Sequence, residues 1–393
     1  MHKKHSETTP SSAERWTNCF ASITIGKHIE DEAASEYAIE GNAAHDLAEW
    51  SLDGLKTVLK KPHDPFDYPP PGSILVTEGK KEFKIEITDE MSTAVKFYVD
   101  YIVHNAKGAK LNVEKQIKIS EKIFGTVDVS FIVDDDCLHV YDFKYGKGIE
   151  VEAKNNKQIL IYAGGVLQSL GKKADKIKTV KLAIVQPRIF YKKKVKVWKI
   201  TKKRLQQEIN KIIKLEKERQ KNPWLFVTGE HCRWCKVNHV CPQQYFDFLY
   251  IEKLKNKYAD GLQKISIKEI LKVLDMKTSI STFLNSVAAF AQNKMESGFI
   301  VPGWKLVQKR ATRKWKQKDQ KMFKFLISLG LEEKDIYEPN KIKSPAQIYT
   351  LVKDKEARKK IDTMTVKESS GLRLDQEKSR KFEVDILSHY YDD

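Results

Sequence analysis

Gly125-Thr126-Val127-Asp128-Val129-Ser130-Phe131-Ile132-Val133, Asp134-Asp135-Asp136, Cys137-Leu138-His139-Val140-Tyr141-Asp142-Phe143-Lys144 is the stretch on which the reading of this chain turns. It predicts two apolar strands, Phe124–Val133 and Cys137–Phe143, joined by an acidic turn. Side chains alternate along a strand, so Asp142 and Lys144 project to one face. A three-residue loop at Asp134–Asp136 pairs Val133 with Cys137, and counting back along both strands sets Asp128 opposite Asp142. Their Cβ atoms would then lie roughly 4.5–5.5 Å apart. Two carboxylates that close repel each other, and a bound divalent cation reverses the sign of that interaction. A two-residue loop would break this pairing. A lone Asp-x-Lys is also an ordinary strand end, so its neighbours decide what it means.

Outward from the hairpin, strand Leu111–Ile119 precedes it. Helix Gln158–Leu170, strand Thr179–Gln186 and strand Tyr191–Ile200 follow, and then a charged helix from Thr201 to about Lys221. Helices are expected at about Glu32–Leu52 and Met91–Ala106, with a Pro-rich loop at Lys61–Pro71 between them. Beyond a soft boundary near residue 250, Ile265–Glu296 reads as helix and Gly303–Gln308 as strand. The expectation is an α/β domain over 1–250, a mixed central sheet flanked by helices, followed by a basic, mainly helical α+β extension over 251–393.

Composition narrows the partners. The 393 residues carry 71 Lys+Arg against 53 Asp+Glu, a net charge of +18, which biases the partners toward polyanions such as nucleic acid and is equally consistent with solubility alone. No apolar run is long enough to span a membrane. Met1–Ser12 is polar and lacks the apolar core of a signal peptide, so a short loose start and a cytoplasmic location are expected.

Four short motifs, in order, resemble the RecB-type branch of the PD-(D/E)XK nucleases: Gly41-x-x-x-His45, Gly125-x-x-Asp128, Asp142-x-Lys144 and Gln158-x-x-x-Tyr162. The CRISPR-associated RecB-like exonucleases and the AddB C-terminal nuclease belong to that branch. The resemblance spans about Gly41 to Cys241. It implies that His45, Asp128, Asp142 and the Phe143 carbonyl hold a divalent cation. Lys144 would activate the attacking water, and Gln158 with Tyr162 would hold the scissile strand. Glu114, on the preceding strand, would support the site. Residue chemistry agrees independently. Phosphodiester hydrolysis needs a hard cation to acidify water, Mg²⁺ favours carboxylates, and an imidazole admits Mn²⁺.

Five cysteines punctuate the chain, three of them packed as Cys232-x-x-Cys235-x5-Cys241, with Cys19 far upstream. Such clusters read as metal or cluster ligands before disulfides. Zinc, held by these thiolates with His231, His239 or Cys19, and an iron–sulfur cluster both remain open. Cys137, heading a strand, reads as a plain thiol. One early cysteine plus a late triplet is similar to the cluster-bearing members of the same nuclease branch, and implies a [4Fe–4S] staple closing a loop of more than two hundred residues.

The stretch Lys305–Lys318 interleaves Arg310, Arg313 and Lys314 with Trp315, after Trp304, a composition suited to single-stranded nucleic acid and equally to structural tryptophans in a solvated segment. Pro302-Gly-Trp-Lys-Leu-Val, Ser12-Ala-Glu-Arg-Trp16 and Asp142-Phe-Lys-Tyr-Gly-Lys-Gly148 resemble an uncharacterised family common in phage and prophage genomes, over nearly the whole chain. The function these resemblances imply is a metal-dependent DNA nuclease. An exonuclease on single strands or duplex ends is favoured, in phage replication or recombination, with an annealing protein or helicase as partner. A structure-specific endonuclease, an RNA-directed enzyme and a non-catalytic DNA-binding or assembly protein are the alternatives.

Overall fold

The computed structural model describes residues 6–29, 36–56, 61–67, 73–78, 81–189, 193–258, 265–316, 319–338, 341–368 and 372–376. The chain begins with two short helices, α1 (Ala13–Asn18) and α2 (Ala21–Gly26), followed by α3 (Glu36–Asp53). A hairpin of β1 (Ser73–Glu78) and β2 (Lys81–Glu86), which the sequence reading leaves unassigned, leads into α4 (Asp89–Ala106). Helix α4 starts where Thr88 accepts the Met91 N–H, with Asp89 and Glu90 favourably placed in the first turn. It ends at Lys107 and Gly108, both left-handed.

Strands β3 (Asn112–Lys118), β4 (Phe124–Val133), β5 (Cys137–Phe143), β6 (Thr179–Val185) and β7 (Val195–Thr201) form one sheet in that order. Only β5 and β6 run parallel, and the connection between them carries α5 (Lys157–Ser169), as a parallel pair requires. The β4–β5 turn is the three-residue loop the spacing predicts, with Val133 opposite Cys137. Asp134 and Asp135 take left-handed backbone (φ 53° and 59°), which Asp tolerates better than most residues.

Two cores sandwich this sheet. On one face Leu47, Tyr98 and Ile102 of α3 and α4 pack against Phe131, Tyr141 and Phe143. On the other, Trp16, Leu160 and Ile161 of α1 and α5 meet Leu138, Val140 and Leu182. They also meet Leu205 and Ile209 of α6 (Lys202–Lys221). Helix α5 lies close because Gly164 and Gly165 carry no Cβ: one at Gly165 would stand 2.7 Å from Ile117, and one at Gly164 2.6 Å from Ile209.

The N-terminal segment departs from the expected loose start. Ser6, Thr8 and Pro10 are buried, Ser6 and Thr8 hydroxyls donate to the Lys122 carbonyl, and Trp16 Nε1 donates to Thr9 O at 3.0 Å. Polar residues order this segment through hydrogen bonds to a neighbouring turn, so it shows no apolar pattern.

Helix α7 (Pro242–Lys257) follows the cysteines, then α8 (Ile267–Glu296). Two compact units can be distinguished, Met1–Ile280 and Ser281–Asp393, with the division inside α8. Gln244, buried in α7, accepts from Ser279 at 2.8 Å and ties the first half of α8 to the first unit. The second unit contains β8 (Trp304–Gln308), β9 (Thr312–Trp315), α9 (Asp319–Ser328), α10 (Glu333–Ile336), β10 (Tyr337–Glu338) and β11 (Lys341–Ile342). It continues with α11 (Pro345–Leu351), α12 (Lys355–Thr363), β12 (Thr365–Glu368) and β13 (Leu372–Gln376). Its strands pair two by two, β8 with β13, β9 with β12 and β10 with β11. Met322, Leu326, Ile348 and Ile361 form its core. No helix among the described residues is long and apolar enough to cross a membrane.

Candidate metal centre and cysteine module

Three strands bring three carboxylates to one level. The β4–β5 ladder is regular as far as Val129–Tyr141, which leaves Asp128 and Asp142 as the next pair. The β3–β4 ladder pairs Val113 with Val129 and Lys115 with Val127, so Glu114 is the residue opposite Asp128. Glu114 has left-handed backbone (φ 46°), a costly conformation for a non-glycine residue inside a strand. Val113 packs toward α3 and α4 while Ile117 packs toward α5, so the alternation of faces switches at this residue. Where the β4–β5 ladder ends, the Asp128 carboxylate takes the Phe143 N–H at 2.7 Å.

His45 approaches from α3. Its Nδ1 lies 3.8 Å from Asp128 Oδ2, and its ring meets Phe143 edge-on at 5.3 Å. Ligand atoms of His45, Glu114 and Asp128 all fall within 4.8 Å of one another, close enough to share one cation. Asp142 is more deeply buried, 1% exposed, and its Oδ2 accepts no hydrogen bond. Lys144 Nζ stands 3.0 Å from that oxygen but off the hydrogen-bonding direction, and donates to Gln158 Oε1 at 3.0 Å. Gln158 in turn donates to the Tyr162 hydroxyl at 3.0 Å. Thus Asp142, Lys144, Gln158 and Tyr162 form one connected row. Of the residues singled out in the sequence, the structure gathers His45, Asp128, Asp142, Phe143, Lys144, Gln158 and Tyr162, and it moves Glu114 from a supporting place to the centre.

Electrostatics match a cation site. Burial pushes the Asp128 carboxyl up to about 6, against the pull of Lys144 and the Phe143 N–H. Burial does the same to Asp142, also about 6, with the Asp128 charge adding to it and Lys144 opposing. His45 is held below the ordinary imidazole value by burial and by the Lys144 charge, so it is neutral and can ligate. Tyr98, stacked on Phe143 at 4.5 Å, has a buried hydroxyl without a hydrogen-bond partner, and the neighbouring carboxylates help raise its phenol well above the usual range. Two further residues escape the sequence reading. Gln186 donates to the Gly146 and Ile149 carbonyls at 2.7 Å and pins the loop after Lys144, while Arg188 stacks on Tyr145 and bonds Glu90 at 3.1 Å. Both lie just past β6, where Pro187 reads only as a strand stop.

Cys19, Cys232, Cys235 and Cys241 line one small cavity, whereas Cys137 sits in the sheet opposite Val133 and Thr179. Main-chain N–H groups point at three of the sulfurs: Gly229 at Cys232 (3.4 Å), Val237 at Cys235, and Gln243 and Gln244 at Cys241. Burial, with the neighbouring cysteines adding to it, raises these thiols, Cys232 to about 11, so thiolates here need a cation as well as the N–H groups. His231 Nε2 is engaged by the Val227 carbonyl at 2.9 Å. Four thiols facing one small cavity are a donor set that suits zinc and an iron–sulfur cluster alike. Around it, Ala21 N donates to Leu225 O (3.1 Å) and Thr24 Oγ1 to Pro223 O (2.7 Å), joining the start of the chain to the end of the sheet domain.

In the second unit Arg313 pairs with Asp362 at 3.6 Å and stacks on Tyr349, and Trp315 Nε1 donates to Lys343 O at 2.9 Å from a place beside the core. Arg310 and Lys314 lie on the same strand pair or its approach. These contacts give Trp315 a structural place.

The fold and the two side-chain clusters define an α/β protein with a carboxylate–imidazole centre at a sheet level and a four-thiol module. Over residues 5–380 the chain matches the family described as "Protein of unknown function (DUF2800)", and it belongs to that family. Among solved structures it is similar to one titled "Crystal structure of SSO0001", at 11% identity and a TM-score of 0.20, covering 39% of this chain and 75% of that one. A superposition that loose has no bearing on the fold.

Proposed function

We propose that this protein is a divalent-metal-dependent nuclease of the RecB-like PD-(D/E)XK type, hydrolysing DNA phosphodiesters, with exonuclease action on single strands or duplex ends favoured. One observation carries the reading: Glu114, Asp128 and Asp142 share a level across three strands, with His45 beside them and the Lys144–Gln158–Tyr162 row adjoining. His45, Glu114, Asp128 and Asp142 would hold Mg²⁺ or Mn²⁺, with the Phe143 carbonyl alongside. Bound there, the ion supplies acidified water and neutralises phosphoryl charge.

The protein's own groups do the rest. Asp142 orients Lys144, and Gln158 fixes the ammonium from the other side. Lys144 is then placed to hold the attacking water and to steady negative charge developing on the phosphate. Tyr162, oriented by Gln158, faces the cavity in which the scissile strand would lie. The four-cysteine module would carry a [4Fe–4S] cluster, its thiolates stabilised by main-chain N–H groups. The net charge of +18 suits a polyanionic substrate.

The test is cleavage of end-labelled single- and double-stranded DNA, linear and circular, with Mn²⁺, Mg²⁺ or EDTA, comparing wild type with Asp142→Ala. Metal-dependent degradation abolished by the substitution, with circles spared, is the expected result. Wild-type protein that binds DNA but never cuts it, whichever metal is supplied, would move the non-catalytic binding reading to first place.

A further inference from the structure

The cavity beside the catalytic row is bounded by Tyr162, Thr126 and Gln168 on one side and by Thr9, Pro10 and Ser11 of the N-terminal segment on the other, with a volume of about 960 Å³. A second cavity of about 610 Å³ begins at the same Ser11 and continues past Arg15 to Arg233 and Trp234. Ser11 lines both, so the two cavities adjoin at the N-terminal segment, and Tyr162, the far end of the row that starts at Asp142, lines the first.

Arg233 and Trp234 are the two residues between Cys232 and Cys235, and their backbone is fixed. Cys232 is buried, Cys235 N donates to Cys232 O at 3.1 Å, and Arg15 Nη1 donates to Trp234 O at 3.1 Å. Yet Trp234 is 70% exposed. An indole held out from a rigid base loses little conformational freedom when a flat partner stacks on it. Its setting favours an anionic partner: Arg15 and Arg233 share the wall. Of the two acids there, Glu230 and Glu14, Glu14 is paired with Lys157 at 3.1 Å.

We propose that Arg233 and Trp234 form a base-stacking subsite for single-stranded nucleic acid, so that the cysteine module grips the strand whose phosphodiester meets Asp142 and Lys144. This rests on the nuclease reading above. Trp234 supplies a sequence-tolerant π-face and Arg233 a phosphate contact, the combination that binds single strands without base preference. The module is then a substrate-binding element as well as a clip, and its ligands set the position of the ring.

The experiment measures binding of a short fluorescent oligothymidylate in EDTA to anaerobically purified full-length protein. Trp234→Ala should weaken binding by about ten- to a hundredfold, the worth of one stacked base. Trp234→Phe should stay within a few-fold of wild type. Metal-dependent hydrolysis of bis(p-nitrophenyl) phosphate, too small to span the two cavities, should be unchanged, as should the visible absorption of the purified protein. Should Trp234→Ala lose that absorption, Arg233→Gln decides, with weaker binding and a shallower salt dependence expected. Wild-type affinity in the absorbing variants overturns the subsite alone. Wild type that binds neither single strands nor duplex ends overturns the subsite and the nuclease reading together.

Discussion

Replacing Asp142 with Asn should stabilise the metal-free protein while removing its response to metal. The carboxyl is 1% exposed, one of its oxygens accepts no hydrogen bond, and burial together with the Asp128 charge pushes it up to about 6. Folded above its unfolded value, this group favours the folded state most when protonated. That contribution is complete below about pH 4 and is lost as the pH rises through 6. At pH 7.5 the ionised form therefore costs about 3 kcal/mol, from about 1.4 kcal/mol per pH unit of displacement. Asn keeps the shape without the charge, though Lys144 gives up its 3.0 Å ion pair and returns part of the gain. At about 2 °C per kcal/mol for a domain of this size, metal-free Asp142→Asn should melt up to about 6 °C above wild type at pH 7.5. The gap should shrink toward pH 5. Mn²⁺ should raise the wild-type midpoint at pH 7.5, do little at pH 5 where protons compete for Asp128 and Asp142, and barely move the variant. Calorimetry or dye-reported melting reads all of this. A variant that melts below wild type without metal at pH 7.5, and that Mn²⁺ stabilises just as much, would refute the buried-charge argument.

Lys144→Ala should lose cleavage by two orders of magnitude or more and keep DNA affinity within a few-fold, since proton-transfer and charge-stabilising groups contribute on that scale; loss of binding with cleavage per bound complex intact would mean the lysine holds substrate instead. Cys232→Ser should remove visible absorption and iron from anaerobically purified protein and lower its melting point, and unchanged colour and metal content would dispose of the cluster. Gly165→Ala places a Cβ 2.7 Å from Ile117 and should cost about 1–3 kcal/mol in urea unfolding; a neutral result would show that α5 and β3 part easily.

How far the sequence could be read depended on whether local chemistry or long-range closure placed a residue. The hairpin was legible because Asp134–Asp136 fixes its own register, so Asp128 and Asp142 follow by counting. Helix α6 was legible from its charge pattern and from Thr201, which caps it at Arg204 N. The central place of Glu114 is not legible locally, because it comes from the β3–β4 register and from a left-handed backbone that no residue type announces; pairing Lys118 with Phe124 across the intervening turn is the signal that points to it. Gln186 and Arg188 act through carbonyls and acids distant in sequence, and nothing local marks them. Ser6–Ser12 looked featureless because its order comes from hydrogen bonds to Lys122, which leave no hydrophobic pattern.

These last residues matter to how the two clusters cooperate. Ser6–Ser12 walls the cavity beside Tyr162 and is continuous with α1, whose end carries Cys19. Cys19 faces Cys232, Cys235 and Cys241 across a small cavity, and the flanking loop is bonded to α2 through Leu225 and Pro223. A group bound by the four thiols would therefore fix both the wall of the substrate cavity and the loop that presents Trp234, through backbone that is already hydrogen-bonded on both sides. The entropy such a clip removes is that of a closure spanning more than two hundred residues. The carboxylate centre needs no such help, because three adjacent strands and α3 hold it. On this reasoning the thiol module governs how a strand is held and the sheet governs how it is cut, so damage to the first should appear in affinity before it appears in turnover.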